Sequence, residues 1–182
     1  MRIKRFMQFV VFGGILAAGC TVGAQARLHW SFDETDGKVA HVSVENFANG
    51  AGDDRVEGFC RHVPGVQGGA LALDGMTTRV VRPAKMIPAL GKSFRVSAWV
   101  ALDNYPWNWV PIADQSRDGQ AGFSFGIDAF GHVGMAAAVG GKWVQVLTDT
   151  RLPLKRWMCC RFRRSCAGRR ICWWRRGRPG GR

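Results

Sequence analysis

The sequence predicts an all-β fold, an antiparallel β-sandwich or jelly roll, and three observations carry that expectation. Apolar residues fall on every second position in three separate runs: Leu71 and Leu73; Phe94, Val96, Ala98 and Val100; and Phe123, Phe125 and Ile127. Each run has glycine or aspartate close by, as in Pro64-Gly65-Val66-Gln67-Gly68-Gly69 before Ala70 and Asp74-Gly75 after Leu73. No helical period intervenes. Alternation in a strand sends one set of side chains into a core and the other toward solvent. Several such strands separated by turn signals indicate packed antiparallel sheets.

The chain opens on a segment that reads as a leader. Arg2, Lys4 and Arg5 form a basic start, Phe6 to Ala18 is uncharged and largely apolar, and Ala24-Gln25-Ala26 has the small-x-small pattern of a signal-peptidase site. The apolar run is shorter than the roughly 20 residues that span a bilayer, so residues 1–26 are expected to be a secretory signal peptide, with no transmembrane segment in the mature chain. The expected location is secreted, periplasmic or extracellular. An alternative is Leu16-Ala17-Ala18-Gly19-Cys20, similar to a bacterial lipoprotein box in which Cys20 becomes the lipidated first residue. Ala17 stands where such boxes prefer leucine, and release is the preferred reading.

The body then runs through strand-like pieces in order. Leu28-His29-Trp30-Ser31-Phe32-Asp33-Glu34 alternates and ends in acids, and an Asn-, Gly- and Asp-rich loop leads to Pro64-Gly65. Strands are expected at Ala70–Asp74, Arg79–Arg82, Phe94–Leu102, Trp109–Ala113, Gly122–Asp128, His132–Val139 and Trp143–Leu147. The body is expected to end at Trp157, after Leu152-Pro153-Leu154-Lys155-Arg156.

Beyond Trp157 the composition changes. Residues 157–182 hold nine Arg, four Cys and three Trp with no acid, whereas residues 27–156 hold 14 Lys and Arg against 13 Asp and Glu. The formal net charge of +13 therefore belongs to the two ends, and the near-neutral body gives no reason to expect a nucleic-acid partner. An Arg- and Trp-rich arm that binds nucleic acid or membrane is one reading of 158–182. The other is out-of-frame translation of GC-rich DNA, whose codons yield this mixture of Arg, Cys, Trp and Gly; it is the preferred reading. Cys60 is the only cysteine between Ala26 and Trp157, so no disulfide framework is expected in the body. Cys159-Cys160, Cys166 and Cys172 lack the paired C-x-x-C spacing of a zinc site.

Taken together, the opening L-x-W-x-F-D-E, the P-G-V-x-G-G-A-L-x-L-D-G turn and strand, F-x-V-S-A-W-V, G-F-x-F-G-I-D and the closing L-P-L-x-x-W resemble a laminin-G-like domain of the concanavalin A-like lectin/glucanase superfamily. The segment Tyr105–Gln115 resembles the version carried as an accessory module by secreted bacterial glycoside hydrolases of the fructan- and arabinan-cleaving propeller kind. The resemblance covers residues 27–157. It departs at Ala40-His41-Val42-Ser43, where the family commonly has an aspartate, and after Trp157, where the family continues with further strands. The domain is thus expected to be incomplete at its C-terminus and to fold poorly, because missing strands leave unpaired backbone edges.

The resemblance implies a non-catalytic module that binds a polysaccharide or oligosaccharide, or packs beside the catalytic domain of a parent protein. Alternatives are the N-terminal fragment of a glycoside hydrolase whose catalytic part is missing, and a cell-surface adhesion or protein-interaction module. No catalytic residues are expected. A hydrolytic pair needs two carboxylates converging on one bond, whereas adjacent Asp33 and Glu34 point to opposite faces of a strand. Asp53-Asp54 falls in a glycine-rich loop. Candidate ligand-binding residues are Tyr105, Trp107, Asn108, Trp109 and Asp114, aromatic faces for sugar rings beside groups that hydrogen-bond hydroxyls; packing of the tryptophans is the plainer reading. Asp33, Asp74 and Asp128, at strand ends, are candidate oxygen ligands for Ca2+, or turn formers. No other cofactor is expected.

Overall fold

The computed structural model describes residues 7–10, 26–88, 94–117, 120–139, 141–165, 168–170 and 175–176. The strands run β1 (Met7–Val10), β2 (Arg27–Trp30), β3 (Val39–Ala40), β4 (Val42–Glu45), β5 (Asp54–Glu57), β6 (Cys60–Pro64), β7 (Gly69–Leu73) and β8 (Arg79–Val81). They continue as β9 (Phe94–Leu102), β10 (Val110–Asp114), β11 (Phe123–Ile127), β12 (His132–Val139), β13 (Lys142–Arg151), β14 (Met158–Ser165), β15 (Gly168–Arg170) and β16 (Arg175–Arg176). The described helical structure is two 3-10 turns, Ala48–Gly50 and Ala84–Met86. The fold is all-β and its ladders are antiparallel. A seven-stranded sheet has the order β15-β14-β9-β1-β7-β6, with β16 also on β14; a four-stranded sheet runs β10-β11-β12-β13. Two smaller sheets are β2-β4 and β3-β5-β8. No helix among the described residues is long and apolar enough to cross a membrane.

The alternation seen in the sequence is what builds the core. Along β9, Phe94, Val96, Ala98, Val100 and Leu102 are buried while the residues between them are half-buried. Phe94 joins the two large sheets, its ring centroid 5.3 Å from that of Phe123 on β11 and 5.6 Å from that of Phe162 on β14. Burial of such side chains supplies the main driving force for the fold, about 1.5–3 kcal/mol for each large one.

The seven-stranded sheet continues past Trp157. Met158, Cys160 and Phe162 are buried and stand opposite Val100, Ala98 and Val96 of β9, while Arg161 and Arg163 are exposed. Burial pushes the Cys159 and Cys160 thiols up from their ordinary value, so both stay protonated and unreactive at neutral pH. At the other end Met7–Val10, within the leader-like segment, forms the strand between β7 and β9. Cys20, the Ala24-Gln25 pair, Cys166 and Cys172 lie outside the described residues.

One turn shows why its glycines are required. The Asp33 carboxylate accepts a hydrogen bond from the Gly69 N–H at 2.7 Å. A Cβ at Gly68, where φ is +68, would lie 2.1 Å from that same carboxylate oxygen, and one at Gly69 would lie 2.2 Å from the Phe32 carbonyl oxygen. The Gly68-Gly69 pair therefore lets the first body segment clasp the start of β7.

Candidate functional site

A cleft of about 680 Å³ opens among β7, β8 and β10. Its walls are largely apolar: Phe32, Leu71, Leu73, Val80, Val96 and Phe123 from the core side, and Val110, Ile112 and Ala113 from β10. Trp107, Asn108, Asp114, Gln115, Thr78 and Arg79 add polar and aromatic groups. An apolar concavity with a few placed polar groups is the usual form of a small-ligand site.

The structure divides the five candidate ligand-binding residues into two groups. Trp107, Asn108 and Asp114 line the cleft, and the Trp107 side chain is 71% exposed. Asp114 is held at its place on β10 by the Ser116 N–H and hydroxyl, which donate to its Oδ1 at 2.8 and 2.7 Å. Tyr105 and Trp109 are turned to packing. The Tyr105 hydroxyl donates to the Leu152 carbonyl at 2.9 Å, with the Arg151 guanidinium 5.5 Å from its ring centroid. Trp109 lies over Gly126 and Gly134, register partners on β11 and β12, where an added Cβ would come within 2.9 and 3.2 Å of the indole. Its Nε1–H donates to the Ser124 hydroxyl at 2.9 Å. This lid explains why all five residues of β11 are buried although its sequence alternates.

The cleft also has a polar element that the sequence analysis did not single out. Asp54 is fully buried, accepting from the Trp30 indole N–H at 2.6 Å and pairing with Arg82 at 2.7 Å. Arg82 is itself buried beneath the cleft, donating to the carbonyls of Met86 at 3.0 Å and Gly52 at 3.3 Å, and to that of Gly50. Its guanidinium carbon sits 5.9 Å from the Trp30 ring centroid. Burial holds the Asp54 carboxyl above its ordinary value, and the Trp30 and Arg82 hydrogen bonds offset only part of that rise. The signal in the sequence was the strand pattern Asp54-Arg55-Val56-Glu57: Asp54 shares a face with Val56, which is fully buried. An acid on a core face requires a cationic partner.

Asp33, Asp74 and Asp128 serve backbone turns. Asp74 Oδ1 accepts from the N–H groups of Met76, Thr77 and Thr78 at 3.0, 2.9 and 2.9 Å, and both threonine hydroxyls reach its carboxylate. Asp128 accepts from the Phe130 and His132 N–H groups at 2.9 and 2.7 Å, with His132 Nδ1 at 3.0 Å. Burial alone would raise the Asp74 and Asp128 carboxyls, but these donors outweigh it and hold both below the usual carboxylate range. These contacts account for the three aspartates as turn formers, and among the described residues no three His, Cys, Asp or Glu side chains are grouped so as to hold a metal ion.

Comparison of the chain with family models, with curated proteins and with solved structures finds no match.

Proposed function

We propose that the β-structured body is a non-catalytic carbohydrate-binding module of a secreted bacterial protein, a laminin-G-like jelly roll of the concanavalin A-like kind. The observation that carries the reading is the cleft itself, with an exposed Trp107 at an apolar hollow beside Asn108, Asp114 and Gln115. A flat indole offers a stacking surface to the C–H face of a pyranose or furanose ring. The amide and carboxylate groups supply the acceptors and donors that sugar hydroxyls need. The buried Asp54–Arg82 pair fixes the cleft wall, which limits the ordering cost of binding.

The test is retention on immobilised polysaccharides, fructan and arabinan among them, comparing the parent chain with Trp107→Ala. Loss of retention at unchanged thermal stability supports the reading, and unchanged retention removes it. A second reading, packing against another domain of a parent protein, is favoured by β13. Trp143, Val144, Val146 and Leu147 are all exposed on this strand, which ends the order of the four-stranded sheet. Association with such a domain in glycan-free buffer, abolished by Val144→Lys with Val146→Lys, would select that reading.

A further inference from the structure

The strands of the seven-stranded sheet hold no Asp or Glu, while Arg61 of β6, Arg95 of β9 and Arg161, Arg163 and Arg164 of β14 are all cationic. The other sheets do carry acids: Asp114 and Asp149 in the four-stranded sheet, Glu45 on β4, and Asp54 and Glu57 on β5. Phe94, Val96 and Ala98 of β9 turn into the core, so Arg95, Ser97 and Trp99 lie on the reverse face of that strand. The ladder sets Arg163 directly opposite Arg95, and Arg161 opposite Ser97. On its other side Arg163 is in register with Arg170 of β15. Three neighbouring strands thus place arginine at one register position.

Opposed residues in an antiparallel pair have Cβ atoms about 4.5–5.5 Å apart, and like charges there destabilise the pair. Arg161 and Arg163 are exposed. Arg95 is half-buried, and its Nε is buried with no hydrogen-bond partner. The ion pairs among the described residues belong to Arg27, His41, Arg79, Arg82 and His132, so no described carboxylate answers Arg95, Arg161 or Arg163. A buried donor without an acceptor costs free energy. A guanidinium fork donates two parallel N–H bonds to one oxyanion. A carboxylate has two oxygens and fills one fork, whereas a tetrahedral phosphate or sulfate group has further oxygens for a second arginine.

We propose that the reverse face of β9 and β14 holds an oxyanion site, in which Arg95 and Arg163 clamp one phosphate or sulfate group and Arg161 adds to the positive field. The bound group supplies the acceptor that Arg95 Nε lacks and offsets the repulsion of the opposed pair. The site is separate from the cleft, which Val96 lines from the opposite face of β9. The group reaches it as a free ion or as an ester on a larger molecule, with the same recognition chemistry.

The test is an NMR titration of the full chain with sodium phosphate and with sodium sulfate, against sodium chloride at matched ionic strength. The Arg95 Nε–H signal is expected to shift saturably with phosphate or sulfate and not with chloride. Arg163→Gln should weaken that binding at least tenfold while the cooperative melt persists. Arg55→Gln, an exposed arginine on β5, should leave it unchanged. Arg163→Lys keeps the charge without the fork and should weaken binding severalfold, which decides the matter should Arg163→Gln fail to fold. No saturable shift at Arg95, the same shift with chloride, or parent-like binding by the Arg163 variants overturns the proposal. Dextran sulfate, compared with sodium sulfate per sulfate group, assigns the source. Tenfold tighter binding supports the site as one for a chain-borne ester, and equal binding supports it as one for the free ion.

Discussion

Trp107 and Trp109 are two positions apart and do opposite work. The sequence showed an aromatic cluster with polar neighbours, and it left open whether those rings face a ligand or the protein. What separates them is a pair of glycines more than fifteen residues downstream: Gly126 and Gly134 make a flat window over which Trp109 lies. Trp109→Ala is expected to cost about 1–3 kcal/mol, less than a fully buried ring because Trp109 is half-buried, by uncovering β11 and β12 and removing the partner of the Ser124 hydroxyl, read as a lowered urea midpoint. Trp107→Ala should change stability by no more than about 0.5 kcal/mol, as for an exposed position. Asp54 was equally hard to read, because its sequence neighbours Gly52 and Asp53 suggested a loop and its partner Arg82 lies 28 residues away. Asp54→Ala leaves Arg82 buried without its counter-charge. The expected loss is about 3–5 kcal/mol, measured by denaturant unfolding.

At the scale of elements, strand existence was the most legible feature. The expected strands at Ala70–Asp74, Phe94–Leu102, Gly122–Asp128 and His132–Val139 coincide with β7, β9, β11 and β12 to within a residue at each end, because period-2 alternation and glycine- or aspartate-marked ends act together there. The turns were legible as turns, but the use of each aspartate was not: a strand-end carboxylate reads the same whether it will meet a cation or backbone N–H groups. Its pairing with those N–H groups has a pH consequence. Asp74 and Asp128 are held below their unfolded value, so each stabilises the fold above that value, near 3.9, and loses that contribution as pH falls through it toward the folded value. The melting temperature is expected to drop as pH is lowered below about 4. Asp74→Asn should lower stability at neutral pH and flatten part of that acid slope, because an amide oxygen accepts from the same N–H groups without titrating. An acid slope identical in parent and variant would show that Asp74 carries none of it.

For the whole molecule, the decisive question is how far the core reaches along the chain. Composition put a boundary at Trp157, since Arg and Cys crowd the sequence from there on, and this hid a period-2 pattern in Met158-Cys159-Cys160-Arg161-Phe162-Arg163. In the structure that pattern is read by β9, whose core-facing residues stand opposite Met158, Cys160 and Phe162. Phe162 contacts Phe94, which contacts Phe123, so β14 belongs to the same core cluster as the four-stranded sheet. A core shared in this way should melt as one unit, in contrast to the poor folding expected of a body that stops at Trp157. Phe162→Asp puts an unpaired charge in that cluster, which costs several kcal/mol against a total stability of about 5–15 kcal/mol. It is expected to abolish the cooperative melt and to open Cys159 and Cys160 to thiol reagents, whereas Arg163→Asp, one position along on the exposed side, should leave both unchanged. If Phe162→Asp melts like the parent chain, β14 does not contribute to the core, and the cooperative unit ends before it.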